Sequence, residues 1–248
     1  MSNTSFGGGA RRRLLIYLLV DTSHSMRIDN AIGAVATGLQ RFQREVMEDE
    51  FAVDTVHVAL YTFDDSVHEL RRLAPISDFQ PPTAKELDPG GETYLSKALI
   101  RVMEDIKRDY QPGKPGRDGA LSDYRPYVFL LTDARPTSAD EKAWHDAREA
   151  LITHRNPKIN YIVTGCGDQV DLTDLIEIGH EGHVFHIDKQ QKSFHAYFDW
   201  IATTTIQQSQ LVLQGESRRS TRARDNTLAA KPKEMKTVGE DFDYNRGA

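Results

Sequence analysis

The sequence predicts an α/β domain built on a doubly wound, mostly parallel sheet of six strands, with one antiparallel edge strand and helices on both faces. Short, continuous apolar runs such as "LLIYLLV" are typical of strands that are covered on both faces. These runs alternate along the chain with segments whose apolar residues recur every three or four positions, the period of an amphipathic helix. Strands that alternate with helices favour a parallel sheet between two helical layers.

The elements follow from these patterns in chain order. The first strand is predicted at 14–20, and a long amphipathic helix follows at about 25–48. "TVHVALYTF" and "SVHELRRL" are predicted to be two strands joined by "DD", a hairpin signature that supplies the antiparallel edge strand. The remaining pattern predicts strands at "YVFLL", "INYIVTG" and "HVFHI", and helices at about 94–109, 139–154, 172–179 and 191–213.

Composition divides the chain into one folded domain, 13–214, and two less ordered ends. Residues 1–12 are basic and rich in glycine, so we expect a flexible N-terminus. After Gly215 the hydrophobic content falls, and we predict that residues 215–248 form a disordered tail. The polar loop at about 111–125 is rich in Pro and Gly and longer than a routine connection, which suits it to binding contacts.

Charge and cysteine content limit the classes of partner and compartment. The formal net charge is −6, so we expect neither a nucleic acid nor an anionic membrane as partner. The apolar run in "ARRRLLIYLLV" is about seven residues long and ends in Asp21, which favours a buried strand over a secretory signal. The single cysteine, Cys166, cannot form an internal disulfide, and this favours a cytoplasmic location.

Three separate segments carry oxygen-bearing side chains to one end of the predicted sheet. The motif "DTSHS" places Asp21, Ser23 and Ser25 directly after the first strand. Thr93 lies in "GGETYLSKAL" just before a helix, and Asp133 follows "YVFLL" in the motif "TD". Ligands of doubly wound sheets bind beyond the carboxyl ends of the strands, where the strand order reverses. We therefore expect these five side chains to meet at that edge.

The chemistry of the five side chains predicts a site for a hard cation. All five offer oxygen and none offers nitrogen or sulfur, which is the ligand set of Mg²⁺, with Mn²⁺ or Ca²⁺ as alternatives. Magnesium prefers six oxygens in octahedral geometry and gives up its waters reluctantly. Direct contacts from hydroxyls and water-mediated contacts from the aspartates leave one position open, which a carboxylate from another protein is suited to fill.

These residues resemble the metal-ion-dependent adhesion site of von Willebrand factor type A domains. That site combines D-x-S-x-S, a threonine in a Gly-Gly loop and an aspartate in a T-D motif, which match "DTSHS", "GGETYLSKAL" and "LLTDARPT" here. The resemblance covers about residues 12–213, since "YIVTGCGDQVDLTDL" is similar to the family's fifth strand and following loop. It implies a Rossmann-like fold, direct metal contacts from Ser23, Ser25 and Thr93, and water-mediated contacts from Asp21 and Asp133.

Among the branches of that family, the chain is most similar to the bacterial TerY-type proteins of tellurium and stress resistance. Some of those proteins are associated with a protein kinase and a PP2C-type phosphatase. The resemblance therefore implies a Mg²⁺-dependent scaffold that binds a glutamate or aspartate of a partner protein, in stress resistance or in kinase–phosphatase signalling.

Two positions depart from the family's usual motifs. Where the family often has "TDG", this chain has "TDA", so Ala134 has to accept the backbone angles of the glycine. The usual "GGT" is "GGET" here, so Glu92 either tilts Thr93 away from the metal or adds a carboxylate near it. Neither departure removes a predicted ligand.

Each motif taken singly also has a purely structural interpretation. Asp21 and Ser23 are suited to bonding turn amides, Ser25 and Thr93 to capping helices, and Asp133 to an Asx turn. Their conjunction in this chain order favours a metal site. A structural module with a degenerate site is the alternative.

Enzymatic and zinc sites have weaker support. "HEGHVFH" carries His180, His183 and His186, but H-E-x-x-H is absent and a strand would point His183 and His186 to opposite faces. The chain lacks a P-loop, a G-x-S-x-G motif and a D-x-D pattern after the first strand, so we expect no enzymatic activity. A metal-dependent hydrolase or phosphatase is the alternative function, although no general base accompanies the oxygens.

Overall fold

Seven strands form one sheet in the computed structural model, which describes residues 12–113, 122–133, 141–168, 170, 172–179, 183–217 and 228–238. The strands are β1 Leu14–Asp21, β2 Val56–Phe63, β3 Val67–Pro75, β4 Tyr127–Thr132, β5 Asn160–Cys166, β6 Val184–Ile187 and β7 Met235–Thr237. The six strands predicted from the sequence are β1 to β6, and the α/β fold class is confirmed.

Six α-helices occur among these residues: α1 Ala31–Met47, α2 Glu50–Thr55, α3 Leu95–Asp109, α4 Glu141–Thr153, α5 Leu172–Ile176 and α6 Gln191–Ser217. The first predicted helix differs from the one observed, because a 3₁₀ segment at His24–Asn30 precedes α1. Asp29 and Asn30 have φ angles of 56° and 55°, a left-handed conformation that Asp and Asn tolerate better than most residues. The chain therefore turns sharply between the first loop and α1.

The strand order is β3-β2-β1-β4-β5-β6-β7. β1 pairs in parallel with both β2 and β4, so the direction of winding reverses between β1 and β4. Asp21 is the last residue of β1, and Asp133 directly follows β4. Both aspartates therefore lie at the switch point, the place where doubly wound sheets bind ligands.

Alternate residues of β1 face two separate hydrophobic clusters. Leu14, Ile16 and Leu18 belong to one cluster together with apolar residues of α1 and α6. Leu15 and Tyr17 belong to the other, together with residues of α3 and α4. The whole of β1 is buried, as predicted for a strand covered on both faces. The two helical layers hold β1 rigidly and so fix the start of the loop that follows it.

The edge of the sheet next to β6 differs from the sequence prediction. β7 is a seventh strand and a second antiparallel edge, paired with β6 through Met235 and Ile187. It lies in the segment predicted to be a disordered tail, and for residues 228–238 that prediction is wrong. Met235 is buried, and the indole Nε1 of Trp200 donates a hydrogen bond to the carbonyl oxygen of Ala229 at 2.9 Å. A few apolar residues among many polar ones dock on the core without producing a periodic pattern.

Several predicted features lie outside the described residues. These are residues 1–11 of the expected flexible N-terminus, 114–121 of the long polar loop, and 218–227 and 239–248 of the expected tail. Within the described ranges, none of the helices combines the length and the apolar character that crossing a membrane requires.

Candidate metal centre

Asp21 anchors the centre between β1 and β4. Its side chain is fully buried, and its Oδ1 accepts a hydrogen bond from the backbone N–H of Ser23 at 2.8 Å. Its Oδ2 accepts a second bond from the Thr132 hydroxyl at 2.5 Å. The carboxylate therefore shapes the first loop and ties that loop to the end of the neighbouring strand.

A chain of hydrogen bonds connects the two serines to the second aspartate. The hydroxyl oxygens of Ser23 and Ser25 lie 3.1 Å apart, and the Ser25 hydroxyl donates to Asp133 Oδ1 at 2.7 Å. The Ser23 side chain makes no capping bond to the 3₁₀ segment that it precedes. The capping interpretation of Ser25 is therefore not what the structure shows, since its hydroxyl bonds a side chain 108 residues away.

Thr93 reaches the same region through the backbone of its loop. Gly90 N–H donates to the carbonyl oxygen of Thr22 at 2.8 Å, and the N–H of His24 donates to that of Gly91 at 3.2 Å. Thr93 is buried, and α3 begins at Leu95 without a side-chain cap. Glu92 is exposed. The structure thus links four of the predicted residues by direct bonds and brings in Thr93 by its loop.

The second glycine of the "GG" pair is required by the close approach of the β2–β3 turn. Gly91 has a φ angle of 67°, which favours glycine. A Cβ atom at this position would lie 3.0 Å from Cγ of Asp65 and 3.1 Å from its backbone nitrogen. Tyr94 N–H also donates to the carbonyl oxygen of Asp64 at 2.8 Å. The threonine loop is therefore held between the first loop and the hairpin.

Within the described residues, the negative charge of the centre is only partly balanced. Burial raises the pKa of Asp21, and the nearby charge of Asp133 raises it further, to about 6, against hydrogen bonds from Ser23 and Thr132 that lower it. Asp133 is also buried. Two carboxylates in a water-poor site repel each other, and a cation between or beside them relieves that repulsion.

Lys189 is a charged neighbour of the centre that sequence reasoning missed. It lies in the connection between β6 and α6, and its Nζ forms an ion pair with Asp133 Oδ2. The same ammonium donates a hydrogen bond to the carbonyl oxygen of Ser25 at 3.0 Å. One signal was present in the sequence: Lys189 comes two residues after a predicted strand, at the same carboxyl edge as Asp21 and Asp133.

A cavity of about 470 Å³ opens beside the centre. Asp133, Lys189, Gly167 and Ile28 are among the residues that line it. Ile28 is 59% exposed, so its apolar side chain is accessible at this cavity. The cavity gives a segment of another molecule room next to the aspartate.

Of the other residues considered in the sequence, His186 contacts a backbone carbonyl, and Cys166 is a buried neighbour of the centre. His186 is buried with its Nε2 at 2.9 Å from the carbonyl oxygen of Gly167, and His180 lies outside the described residues. Burial raises the pKa of the Cys166 thiol well above its usual value, and the charge of Asp133 adds to this. In the part of the chain that the structure describes, no three His, Cys, Asp or Glu side chains are grouped to hold a metal ion. The candidate centre instead combines two carboxylates with hydroxyl groups.

Comparison with known proteins shows which family the chain belongs to. The family model of the von Willebrand factor type A domain matches residues 16–199. A search of curated proteins finds no match. Among solved structures 204 chains match.

The three structures are similar to this chain in fold and distant in sequence. A von Willebrand factor type A protein from Catenulispora acidiphila has 13% identity and a TM-score of 0.57, with 79% of this chain and 43% of that one covered. The vWF domain of the type V pili tip protein Mfa5 from Porphyromonas gingivalis has 14% identity and a TM-score of 0.60, with 78% and 95% covered. The pilus adhesin SpaC from Lactobacillus rhamnosus GG has 15% identity and a TM-score of 0.61, with 80% and 32% covered. The chain spans less than half the length of the first of these.

Proposed function

This chain belongs to the von Willebrand factor type A domain family, and from that premise we propose that it is a Mg²⁺-dependent interaction module that binds an acidic residue of a partner protein. Domains of this family commonly serve as protein-interaction or adhesion modules. The observation that carries the proposal is the hydrogen-bonded chain from Ser23 through Ser25 to Asp133, beside the buried carboxylate of Asp21.

The donor set fits a hard divalent ion. Ser23, Ser25 and Thr93 would hold the ion directly, and Asp21 and Asp133 would hold it through water, as the resemblance of the motifs implies. The raised pKa of Asp21, due to burial and the charge of Asp133, supports this because it marks a site where negative charge lacks full compensation. Mg²⁺ supplies positive charge for a partner carboxylate when bound, and Mn²⁺ or Ca²⁺ is suited to the same oxygens.

The surroundings of the centre support a protein partner. The cavity beside Asp133 is wide enough for a side chain, and Ile28 adds an exposed apolar contact at its rim. Surface loops held by a rigid sheet are the usual location of binding residues, and His24 is exposed in the first of these loops. The loops would then give specificity for the partner, while the partner's carboxylate would contact the metal ion.

Divalent binding is the first test. Titration calorimetry of the full chain with Mn²⁺ should show binding, and Ser25→Ala should weaken it about tenfold or more because a ligand and the bond to Asp133 are both lost. Ser77→Ala is the matched control, since Ser77 is exposed and bonds only its neighbour Asp78. Equal affinity of all three proteins would contradict the proposal.

Partner capture is the second test. The immobilised chain is incubated with extract in Mg²⁺ or in EDTA, and bound proteins are identified by mass spectrometry. We expect partners that are released by EDTA and by Ser25→Ala but retained by Ser77→Ala. Capture that is indifferent to both the chelator and the Ser25 substitution would count against a shared coordination sphere.

We further propose a bacterial, cytoplasmic setting in stress resistance, with a protein kinase and a PP2C-type phosphatase as the partners to test first. This rests on the TerY-type sequence resemblance and on the single buried cysteine. Neighbouring genes offer an inexpensive check, since kinase, phosphatase or tellurium-resistance genes beside this one would support the setting. Purified kinase and phosphatase can then replace the extract in the capture experiment.

We propose that the chain is not an enzyme. The only thiol of the chain is buried and its pKa is raised, so it is poorly suited to act as a nucleophile. The discriminating assay is hydrolysis of a generic phosphate ester with Mg²⁺ or Mn²⁺ at high protein concentration. Turnover that is lost in Ser25→Ala and retained in Ser77→Ala would favour a metal-dependent hydrolase instead.

A further inference from the structure

Lys189 ties the connection after β6 to the candidate metal centre. We infer that its ammonium is a counter-cation of Asp133 and competes with a divalent ion for the charge of this carboxylate. The inference rests on the proposed function, because it assigns a role at the same site. It makes Lys189 a residue that sets the strength of metal binding.

The contacts of Lys189 are those of a cation held in place. Its Nζ pairs with Asp133 Oδ2 while Asp133 Oδ1 accepts the Ser25 hydroxyl, so the two carboxylate oxygens face different groups. The Lys189 side chain is 17% exposed, and that of Asp133 is fully buried. The ammonium also bonds the carbonyl oxygen of Ser25, which places it against the loop that carries two of the predicted ligands.

Gly167 shapes the path that the lysine stem follows. The φ angle of Gly167 is 83°, and a Cβ atom there would lie 3.1 Å from both Cγ and Cδ of Lys189. The glycine is fixed by its N–H, which donates to the carbonyl oxygen of Ile187 at 2.9 Å, and by the contact of its own carbonyl oxygen with His186. The backbone thus leaves space for the lysine where most residues would obstruct it.

The ammonium of Lys189 and a divalent ion compete electrostatically for the same carboxylate. A single ammonium offsets one of the two buried carboxylates, whereas a divalent ion offsets both. A divalent ion beside Asp133 would also be repelled by an ammonium already paired with the same carboxylate. Removal of the lysine charge should therefore tighten metal binding and at the same time destabilise the metal-free centre.

The test compares three variants of the full chain in Mn²⁺ titration calorimetry. Lys189→Met keeps the apolar stem over Gly167 and removes the charge, and we expect about tenfold tighter binding, or ~1.4 kcal/mol. Lys189→Arg keeps a cation and should stay close to the wild-type affinity. Lys192→Met is the matched control, because Lys192 is exposed in the first turn of α6, and its affinity should change less than about twofold.

A metal-independent measurement accompanies the titration. In EDTA, Lys189→Met should melt at a lower temperature than Lys192→Met, because Asp133 loses its partner, and Mn²⁺ should then raise its melting temperature by more. If Lys189→Met does not fold, Lys189→Gln carries the same expectations.

The outcomes separate the two hypotheses. If the wild type binds Mn²⁺ and the neutral variants bind it equally well or more weakly, the inference is overturned and the proposed function stands. An absence of Mn²⁺ binding in every variant up to millimolar concentration overturns the metal centre and this inference with it. Binding that appears only when the charge is removed supports the competition directly.

Discussion

The buried carboxylates at the two ends of the sheet differ in the groups that they pair with. At the amino end, Asp123 precedes β4 and pairs with Arg13, which precedes β1, through hydrogen bonds of 2.9 and 2.5 Å. Asp123 also accepts the backbone N–H of Gln111 at 2.7 Å. At the carboxyl end, among the residues that the structure describes, Asp21 accepts bonds from a hydroxyl and a backbone amide, and Asp133 pairs with Lys189.

The difference separates structural carboxylates from those suited to bind a cation. Asp105 on α3 belongs with the structural group. Burial acts to raise its pKa, but hydrogen bonds from Arg101 and Tyr61 and the charge of Arg108 outweigh burial, so the pKa lies below its ordinary value. The pKa of Asp21 moves the opposite way. Burial is common to both, and the supply of positive charge decides the outcome.

The largest expected effect is on metal affinity. Asp133→Asn should weaken Mn²⁺ binding about 10- to 100-fold, because an orienting carboxylate of the centre is lost. Asp123→Asn should leave the Mn²⁺ affinity within about threefold, since Asp123 lies at the other end of the sheet. Titration calorimetry at constant pH measures both, with circular dichroism to verify folding. Equal losses of Mn²⁺ affinity in Asp133→Asn and Asp123→Asn would contradict the view that only the carboxyl end of the sheet binds the metal.

For the free energy of unfolding, substitution at the amino end of the sheet should have the larger effect. Asp123→Asn should lower the free energy of unfolding by about 3 kcal/mol, because it breaks the pair with Arg13 and leaves that guanidinium half-buried without its partner. In EDTA at pH 7, Asp21→Asn should change it by less than about 1 kcal/mol, since the repulsion with Asp133 disappears and the Thr132 hydroxyl is able to reverse its bond. Urea unfolding followed by circular dichroism measures both. A larger loss in Asp21→Asn would contradict the comparison.

The pH dependence of stability should have opposite signs at the two aspartates. The folded pKa of Asp21 is about 6, above its unfolded value of about 4, so the folded protein binds the proton more tightly and stability is lost as pH rises through this window. In EDTA, the unfolding free energy of the wild type relative to Asp21→Asn should fall by about 2–3 kcal/mol between pH 4 and 6.5.

Asp105→Asn provides the opposing control. The folded pKa of Asp105 lies below its unfolded value, so its contribution to stability is present above the unfolded pKa and is lost as pH falls through the folded pKa. The wild type relative to Asp105→Asn should therefore lose stability towards acid. Slopes of the same sign for the two aspartates would show that their environments do not differ as described.

The smallest expected effect is at His24, between the two serines. Its side chain is exposed, and its link to the threonine loop is made by the backbone N–H. His24→Ala should therefore change the Mn²⁺ affinity by less than about twofold. A loss as large as that of Asp133→Asn would indicate that the centre extends further than the oxygen-bearing side chains.

Much of the fold followed from local patterns. The predicted strands at 14–20 and 127–131 agree with β1 and β4 within one residue, because strands buried on both faces have a distinctive apolar run. The divided first helix was missed, since the pattern of apolar residues continues through Asp29 and Asn30 while the backbone does not. β7 was missed because its burial depends on Trp200 and the edge of β6, both distant in sequence.

The positions of the candidate site also followed from the sequence, but its charge balance did not. The chain order of Asp21, Ser23, Ser25, Thr93 and Asp133 relative to the strands was sufficient to expect convergence, and the binding of a metal there stays a prediction. The position of Lys189 just after a predicted strand indicated the edge of the sheet but not a partner for its charge, and the exposed Lys192 follows only three residues later. In the structure, Lys189 pairs with Asp133, whereas Lys192 is exposed in the first turn of α6.

The sequence by itself determined the parallel core and the loops that bear oxygen ligands, because the side-chain period of a strand and the polarity of a strand end are local properties. Only the tertiary structure decided which charges meet. Arg13 and Asp123 are 110 residues apart, and Lys189 and Asp133 are joined only because β4, β5 and β6 lie side by side. Electrostatic energy depends on distance and burial in space, and sequence spacing records neither.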